Sequence, residues 1–456
     1  MSNDSYSRRQ YVKYASAIAA GGLAGCTGGG GGGTGGGGGG AGSGGSGTGT
    51  TGGGGSGGSN KGITVWTDAW DSQVSELQNM IKEQAGVNVT FTDMRYDNIK
   101  QKFLTGASTG TPDVVEATPN HRGDYATADV IEPITDRVNE LDYKDGYIGL
   151  DTMKYQGEYW ALPYIGNGRG FVYRQDIMKE YGEVPDDWSK FIKMASDITK
   201  GEDDMYGFTL TSQKGNTRML QEFLSFLFQL TDDIFKPKGD GWELSVSAEQ
   251  LGKVFKAYYW DPFFATDPPA TNPDARGIGS LEHDIAYVNG NYASISTGPW
   301  VPGVVQGSDN ANEQSMSNYR NSAVTHNPRV KGGEKGTYME VKPIFMNKHS
   351  KNKDAAWKAM KAGTSPDGIR TFLEQDPGNL PAHEDVEWTG PKETDNPDWE
   401  TFEEVLKTGK SYGFWSVSKI SSTFFNLSQK VMYDQLDPME AGEQLHKAWA
   451  EKESKI

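Results

Sequence analysis

From Lys61 onward, short β-branched runs alternate with stretches of helical period. Ile63 to Trp66 reads as a strand, ended by Thr67-Asp68. Ser72 to Gln84 places Val74, Leu77, Met80 and Ile81 at three- and four-residue spacing, the stripe of a half-buried helix, and Gly86 supplies its stop. Val87 to Phe91 alternates as a strand, Ile99 to Leu104 is helical, and Val114 to Glu116 is a strand opened by Pro112-Asp113. This alternation predicts an α/β fold with a parallel sheet and crossover helices.

The pattern continues through an extended stretch at Tyr159 to Tyr164, a strand at Gly170 to Tyr173 and a helix at Gln175 to Tyr181. Asp187-Trp188 caps a helix over Ser189 to Lys200, with Phe191, Ile192 and Ala195 on one face. Met219 to Leu230 is apolar enough for a buried helix, and Ala286 to Trp300 reads as helix end, glycine turn, strand and turn. Val341 to Phe345 is a strand whose Pro343 predicts an edge position. Helices are expected over Asp354 to Lys361, Ser365 to Glu374, Thr401 to Leu406, Lys419 to Asp434 and Met439 to Lys452. No internal repeat is visible, which argues against a repetitive adhesion or structural surface protein.

The first sixty residues follow no such pattern. Ser7-Arg8-Arg9-Gln10-Tyr11-Val12-Lys13 resembles a twin-arginine export signal. The weakly apolar run from Tyr14 to Leu23 falls short of the ~20 residues of a spanning helix, as a cleavable signal does. Leu23-Ala24-Gly25-Cys26 resembles a lipobox, which implies lipidation at Cys26, the single cysteine of the 456-residue chain. No disulfide framework or cysteine metal site remains. One acyl chain anchors only marginally, so a second would be needed for firm attachment. Gly28 to Ser59 is almost wholly Gly, Ser and Thr, a flexible tether of root-mean-square reach about 30 Å. The expected organisation is a signal at 1–25, a tether at 26–60 and a folded part beyond, which is long enough for two lobes.

The net charge of −17, from 61 acidic and 44 basic residues, makes nucleic acid and anionic membrane surfaces poor partners. An acidic, exported lipoprotein would suit a halophilic archaeon. Twelve Trp and 21 Tyr are a high aromatic load for a hydrophilic chain; rings in loops suit stacking against sugar faces. The six histidines have no metal-ligand spacing, and no Gly-x-Ser-x-Gly elbow or His-Glu-x-x-His is present, so neither a metal nor a cofactor is expected. Gly166-Asn-Gly-Arg-Gly170 is followed by a strand pattern, not the helix a dinucleotide loop requires.

Several segments, in order, resemble the family 1 extracellular solute-binding proteins of ABC importers, the group containing sugar-binding proteins. They are Pro112 to Glu116, Gly157 to Pro163, Phe171 to Met178, Val184 to Trp188, Tyr206-Gly-Phe208, Val288 to Trp300 and Ser350 to Trp357. The resemblance implies two hinged α/β lobes of the type II periplasmic-binding-protein kind, with the ligand in the cleft between them. It places the crossings near Tyr164-Ile165, near Met339-Glu340 and after Pro381 near Glu384. Lobe 1 would then be 61–164 plus 340–384, and lobe 2 165–339 plus 385–456. It also implies a monomer, outside the cytoplasmic membrane, that delivers a small solute to permease subunits without changing it chemically.

Candidate ligand residues are Asp68, Trp70 and Asp71 after the first strand, and Glu116 and Asn120 after the third. Helix capping is an alternative role for Asp71, and holding the hinge an alternative for Glu116. Asn167 matches a ligand-contacting position that is a carboxylate in sugar-binding members; Arg169 is a partner for Glu116 or for a ligand carboxylate. Trp300 and Trp415 match stacking positions. Tyr338 and Glu340 replace the small glycine pair common at the second crossing. A sugar is the expected solute, with polyamines or another small solute as the alternative and a secreted glycoside-acting enzyme as the more distant one.

Overall fold

The computed structural model describes residues 62–69, 71–94, 96–239, 241–302, 312–376, 378–388 and 399–453. The export signal, Cys26, the tether and Trp70 lie outside the described residues.

Among the described residues fourteen strands carry the fold: β1 (Ile63–Thr67), β2 (Val89–Asp93), β3 (Val114–Glu116), β4 (Lys154–Tyr155), β5 (Glu158–Tyr159), β6 (Ala161–Gly168), β7 (Gly170–Arg174), β8 (Phe235–Lys238), β9 (Gly241–Leu244), β10 (Ser294–Thr297), β11 (Ser322–Thr325), β12 (Thr337–Met346), β13 (Leu380–Pro381) and β14 (Gly409–Lys410). The first sheet runs β2-β1-β3-β12-β6-β13, with β14 added to β12. Its β1, β2 and β3 are parallel, as the strand–helix alternation predicts, whereas β12 runs antiparallel to β3 and β6 and β6 antiparallel to β13; β14 is parallel to β12. Val74, Leu77 and Ile81 of the helix Asp71–Ala85 bury against one face together with the helices Lys353–Gly363 and Pro366–Gln375. Phe103, Tyr125 and Phe345 fill the other. A parallel sheet needs such cover on both sides.

The second sheet is β10-β7-β11, all antiparallel. Tyr287, Ile295 and Tyr319 pack on one side. On the other, Phe171 meets Phe191 edge-on at 4.8 Å and Trp188 meets Phe226 at 4.9 Å. The cap predicted at Asp187 forms, its Oδ1 accepting from Lys190 N at 3.0 Å, and Gly86 takes the left-handed φ of 66°. The β8–β9 hairpin, the turn of π-helix at Phe255–Trp260 and the helix Glu313–Arg320 carry no periodic signal strong enough to predict them.

Two strands connect the sheets. β6 ends at Gly168 and β7 begins at Gly170, so Arg169 alone joins first sheet to second. A Cβ on Gly168 would sit 2.1 Å from Leu406 Cδ2 and 2.7 Å from Tyr338 O, so only glycine fits this approach. β12 returns the chain, opening beside β14 and ending against β3. The edge position expected for Pro343 is incorrect. β12 has partners on both sides, and a register shift between Val341 and Pro343 absorbs the missing N–H. Among the described residues no helix is long and apolar enough to cross a membrane.

Candidate functional site

Charged and aromatic side chains gather where β6 and β12 pass between the sheets, in three connected groups.

The first sits at the carboxyl ends of β1 and β3, where parallel strands release their loops on one side. Lys342 of β12 places Nζ 2.9 Å from Asp68 Oδ1 and 3.1 Å from Glu116 Oε1. Thr67 donates its hydroxyl to Glu116 Oε2. Glu116 borders a cavity of about 30 Å³ walled mainly by apolar side chains such as Val74, Leu77 and Ile344. Burial there pushes its pKa up to about 7; Lys342 opposes the shift and Asp68 adds to it. Burial acts on Asp68 in the same sense, but Lys342 outweighs it and holds that carboxyl below its ordinary value. Burial would lower Lys342, yet Asp68, Glu116 and Glu340 together hold it well above. One ammonium therefore serves two carboxylates, and a solute hydroxyl or cation could relieve the second.

The second group lies at the crossing. Arg169 donates through Nη2 to Gln221 Oε1, and Gln221 Nε2 donates to Glu340 Oε2 at 3.0 Å. Gln221 thus bridges the cation and the anion. Arg169 Nε has no partner among the described residues. Glu340 stands opposite Asn167 in the β12–β6 ladder; Asn167 donates to Asn379 at 3.3 Å and Asn379 to Asp376 at 3.0 Å. Burial raises both Glu340 and Asp376. Tyr338 is wholly buried, 5.2 Å from Tyr412 ring to ring.

The third group belongs to the second sheet's helices. Arg218 bonds Glu222 and Asp284, each at 2.7 Å. Trp300, half-buried, directs Nε1 to Asp284 Oδ2 at 3.0 Å, with Arg169 4.5 Å and Arg218 5.5 Å from its ring centre. The three groups form one polar chain from Asp68 to Asp284, with an indole at its second-sheet end.

Of the residues singled out from sequence, Asp68, Glu116, Asn167, Trp300, Tyr338 and Glu340 belong to or adjoin this chain. Asn120 is buried in the short turn Pro119–His121 and accepts from Thr118. Asp71 opens its helix, but its side chain, like Trp70, is outside the described residues. Trp415 turns into the core, 5.3 Å from Tyr412 and 5.2 Å from Phe235. Its neighbour Phe414 instead lies parallel to Tyr155, 5.3 Å away. Lys342, Arg218 and Gln221 escaped the sequence reading. Lys342 and Glu340 stand two apart in an otherwise apolar strand, and Arg218 and Glu222 four apart in an apolar helix; those spacings were the available signal.

A family model described as bacterial extracellular solute-binding protein matches residues 76–401. A binding protein of Brucella abortus is 22% identical over 308 residues, 66% of this chain and 70% of that one. The maltotriose-binding protein of Pyrococcus abyssi is 23% identical over 331 residues, 71% of this chain and 67% of its own. Among solved structures, the GacH receptor of Streptomyces glaucescens, studied unliganded and with acarbose, aligns with TM-score 0.70 at 17% identity over 86% of this chain and 99% of that one. MalE3 of T. maritima, with maltose bound, aligns with TM-score 0.70 at 17% identity, covering 84% and 98%. The fold is thus the two-lobed α/β fold of these binding proteins.

Proposed function

The chain belongs to the bacterial extracellular solute-binding proteins, and from that premise we propose that it is the carbohydrate-binding component of an ABC importer. The observation that carries this reading is the polar chain between the sheets, with Trp300 at its end. Carboxylates accept sugar hydroxyls, Lys342 and Arg169 donate to ring and hydroxyl oxygens, and an indole matches an apolar sugar face. The maltotriose and acarbose bound by similar proteins support the same class of solute.

In this reading the lobes are 61–164 plus 340–384 and 165–339 plus 385–456, and they close on the solute and present it to the permease unchanged. Calorimetry with a panel of mono- and oligosaccharides, beside native mass spectrometry of the purified protein, tests it. Saturable binding without hydrolysis is expected; turnover of any sugar would make the protein an enzyme, and no binding across the panel would remove the carbohydrate.

A cationic solute such as a polyamine is the second reading. It is favoured by charge: Asp68, Glu116, Glu340, Glu222 and Asp284 stand against Lys342, Arg169 and Arg218. Spermidine in the same calorimeter separates the two.

The protein acts at the outer face of the cytoplasmic membrane, exported through its twin arginines and held by lipid at Cys26. Cys26→Ser should move it from the membrane to the soluble fraction; retention in the membrane would exclude the anchor.

A further inference from the structure

A second meeting place lies away from the polar chain. Arg122 opens the helix Arg122–Thr127 that follows β3, and it is wholly buried. Its Nε donates to Pro119 O at 3.2 Å and its Nη1 to Thr152 O, both on the first-sheet side. Its Nη2 donates to Ser411 Oγ at 3.2 Å and to Tyr412 O, on the segment after β14. The guanidinium also lies 5.4 Å from the Phe414 ring centre. Every acceptor found for it among the described residues is neutral, so the arginine joins two stretches of backbone and is not itself held by a carboxylate.

The next two residues repeat the contact. A Cβ on Gly123 would lie 2.2 Å from the carbonyl carbon and oxygen of Trp415, so helix and loop meet backbone to backbone. Asp124 Oδ1 accepts from the hydroxyls of Ser416 and Ser418, the latter at 2.7 Å, and its Oδ2 lies 3.3 Å from Lys100. At the end of β4, Tyr155 lies parallel to Phe414 at 5.3 Å and to Trp242 at 6.1 Å, with interplanar angles of 10° and 8°. Helix Arg122–Thr127 and the β4–β5 hairpin hang from the first sheet. Residues 411–418 lead into the helix Val417–Met432, which packs on the helices around the second.

We propose that Arg122, Asp124 and Tyr155 form an interlobe clasp that sets the resting balance between open and closed protein, independently of solute contacts. The proposal rests on the lobe-closure reading above. Separating the lobes here must break the two bonds from Arg122 Nη2 to Ser411 and Tyr412, the two serine bonds to Asp124 and the ring stack together. Apparent affinity scales with the fraction of protein already competent to bind, so a clasp that raises that fraction tightens binding without touching solute.

The test uses the full chain with Cys26→Ser and nitroxide labels at Lys102→Cys and Lys331→Cys, both exposed sites, one on each side. Pulsed dipolar spectroscopy without solute is expected to show a populated short distance. Tyr155→Ala, which trims a half-buried ring, and Arg122→Gln should each reduce that population at least threefold. Ser418→Ala should do so more mildly if Arg122→Gln does not fold. Unchanged distributions in the folded variants, or a solute-free protein with only the long distance, would overturn the clasp. Maltotriose added afterwards separates the two proposals. A clasp effect with no maltotriose response leaves the clasp standing and counts against the carbohydrate.

Discussion

Trp300 donates its indole N–H to Asp284 Oδ2 at 3.0 Å, so the ring is pinned by its edge. Arg169 and Arg218 lie 4.5 and 5.5 Å from its centre. The residue that sequence reasoning offered as a stacking surface is also a structural member of a buried ion network.

Two substitutions separate these roles. Trp300→Ala should weaken solute binding at least about tenfold, the scale of one lost stacking ring and its burial. Trp300→Phe keeps a ring and loses only the bond to Asp284, so it should retain most of the affinity. Isothermal calorimetry against the best-binding sugar reads both, and an unchanged constant in Trp300→Ala would move the site elsewhere.

Lys342 is shared by Asp68 and Glu116. Lys342→Met should therefore destabilise the protein by about 3–5 kcal/mol in urea unfolding, the usual cost of leaving a buried charge unpaired. Adding Asp68→Asn to Lys342→Met should recover part of that loss, since Asp68 is the carboxylate that Lys342 holds ionised, whereas Glu116 without Lys342 is already neutral.

Stability should depend on pH with opposing contributions. Burial, together with Lys100 for His121 and Arg218 for His283, lowers both histidines from 6.5 to about 3. Between those values the unfolded chain binds protons that the folded chain does not, so their contribution is complete above 6.5 and is lost as pH falls toward 3. Glu116 works in the other direction. Raised from 4.5 to about 7, it stays protonated in the fold, and its contribution is complete below 4.5 and lost as pH rises to 7. Glu340 and Asp376, also raised by burial, act in the same sense as Glu116, so each contribution is read by comparing a variant with the parent. Between pH 3.5 and 6.5, the change in melting temperature with rising pH should be less positive in His283→Gln than in the parent and more positive in Glu116→Gln.

Trp415 packs against Tyr412 and Phe235 in the core. Trp415→Ala should lower unfolding free energy by about 3–5 kcal/mol, as large-to-small core changes do. Measured well below the melting temperature, its effect on solute affinity should be smaller than that of Trp300→Ala.

Local periodicity carried much of the fold. The stripe of Val74, Leu77 and Ile81 and the alternation in β1 encode which face is buried, and both are properties of neighbouring residues. Pro343 shows the limit. Its missing N–H argues for an edge, yet whether a strand has one neighbour or two depends on distant stretches of the chain, at β3 and β6. A register shift, invisible in sequence, settles the conflict.

The candidate site divides in the same way. Sequence alone determined the residue types available: Asp68 and Glu116 at strand ends, Glu340 within a strand and Trp300 after Gly298-Pro299. Only the tertiary structure decided that Lys342 serves two of those acids, that Gln221 bridges Arg169 and Glu340, and that Phe414 and not Trp415 faces Tyr155. The reason is physical. Chemistry and period are written into a residue and its near neighbours, whereas a charge's partner and a ring's exposed face are set by which distant segments share the space around it.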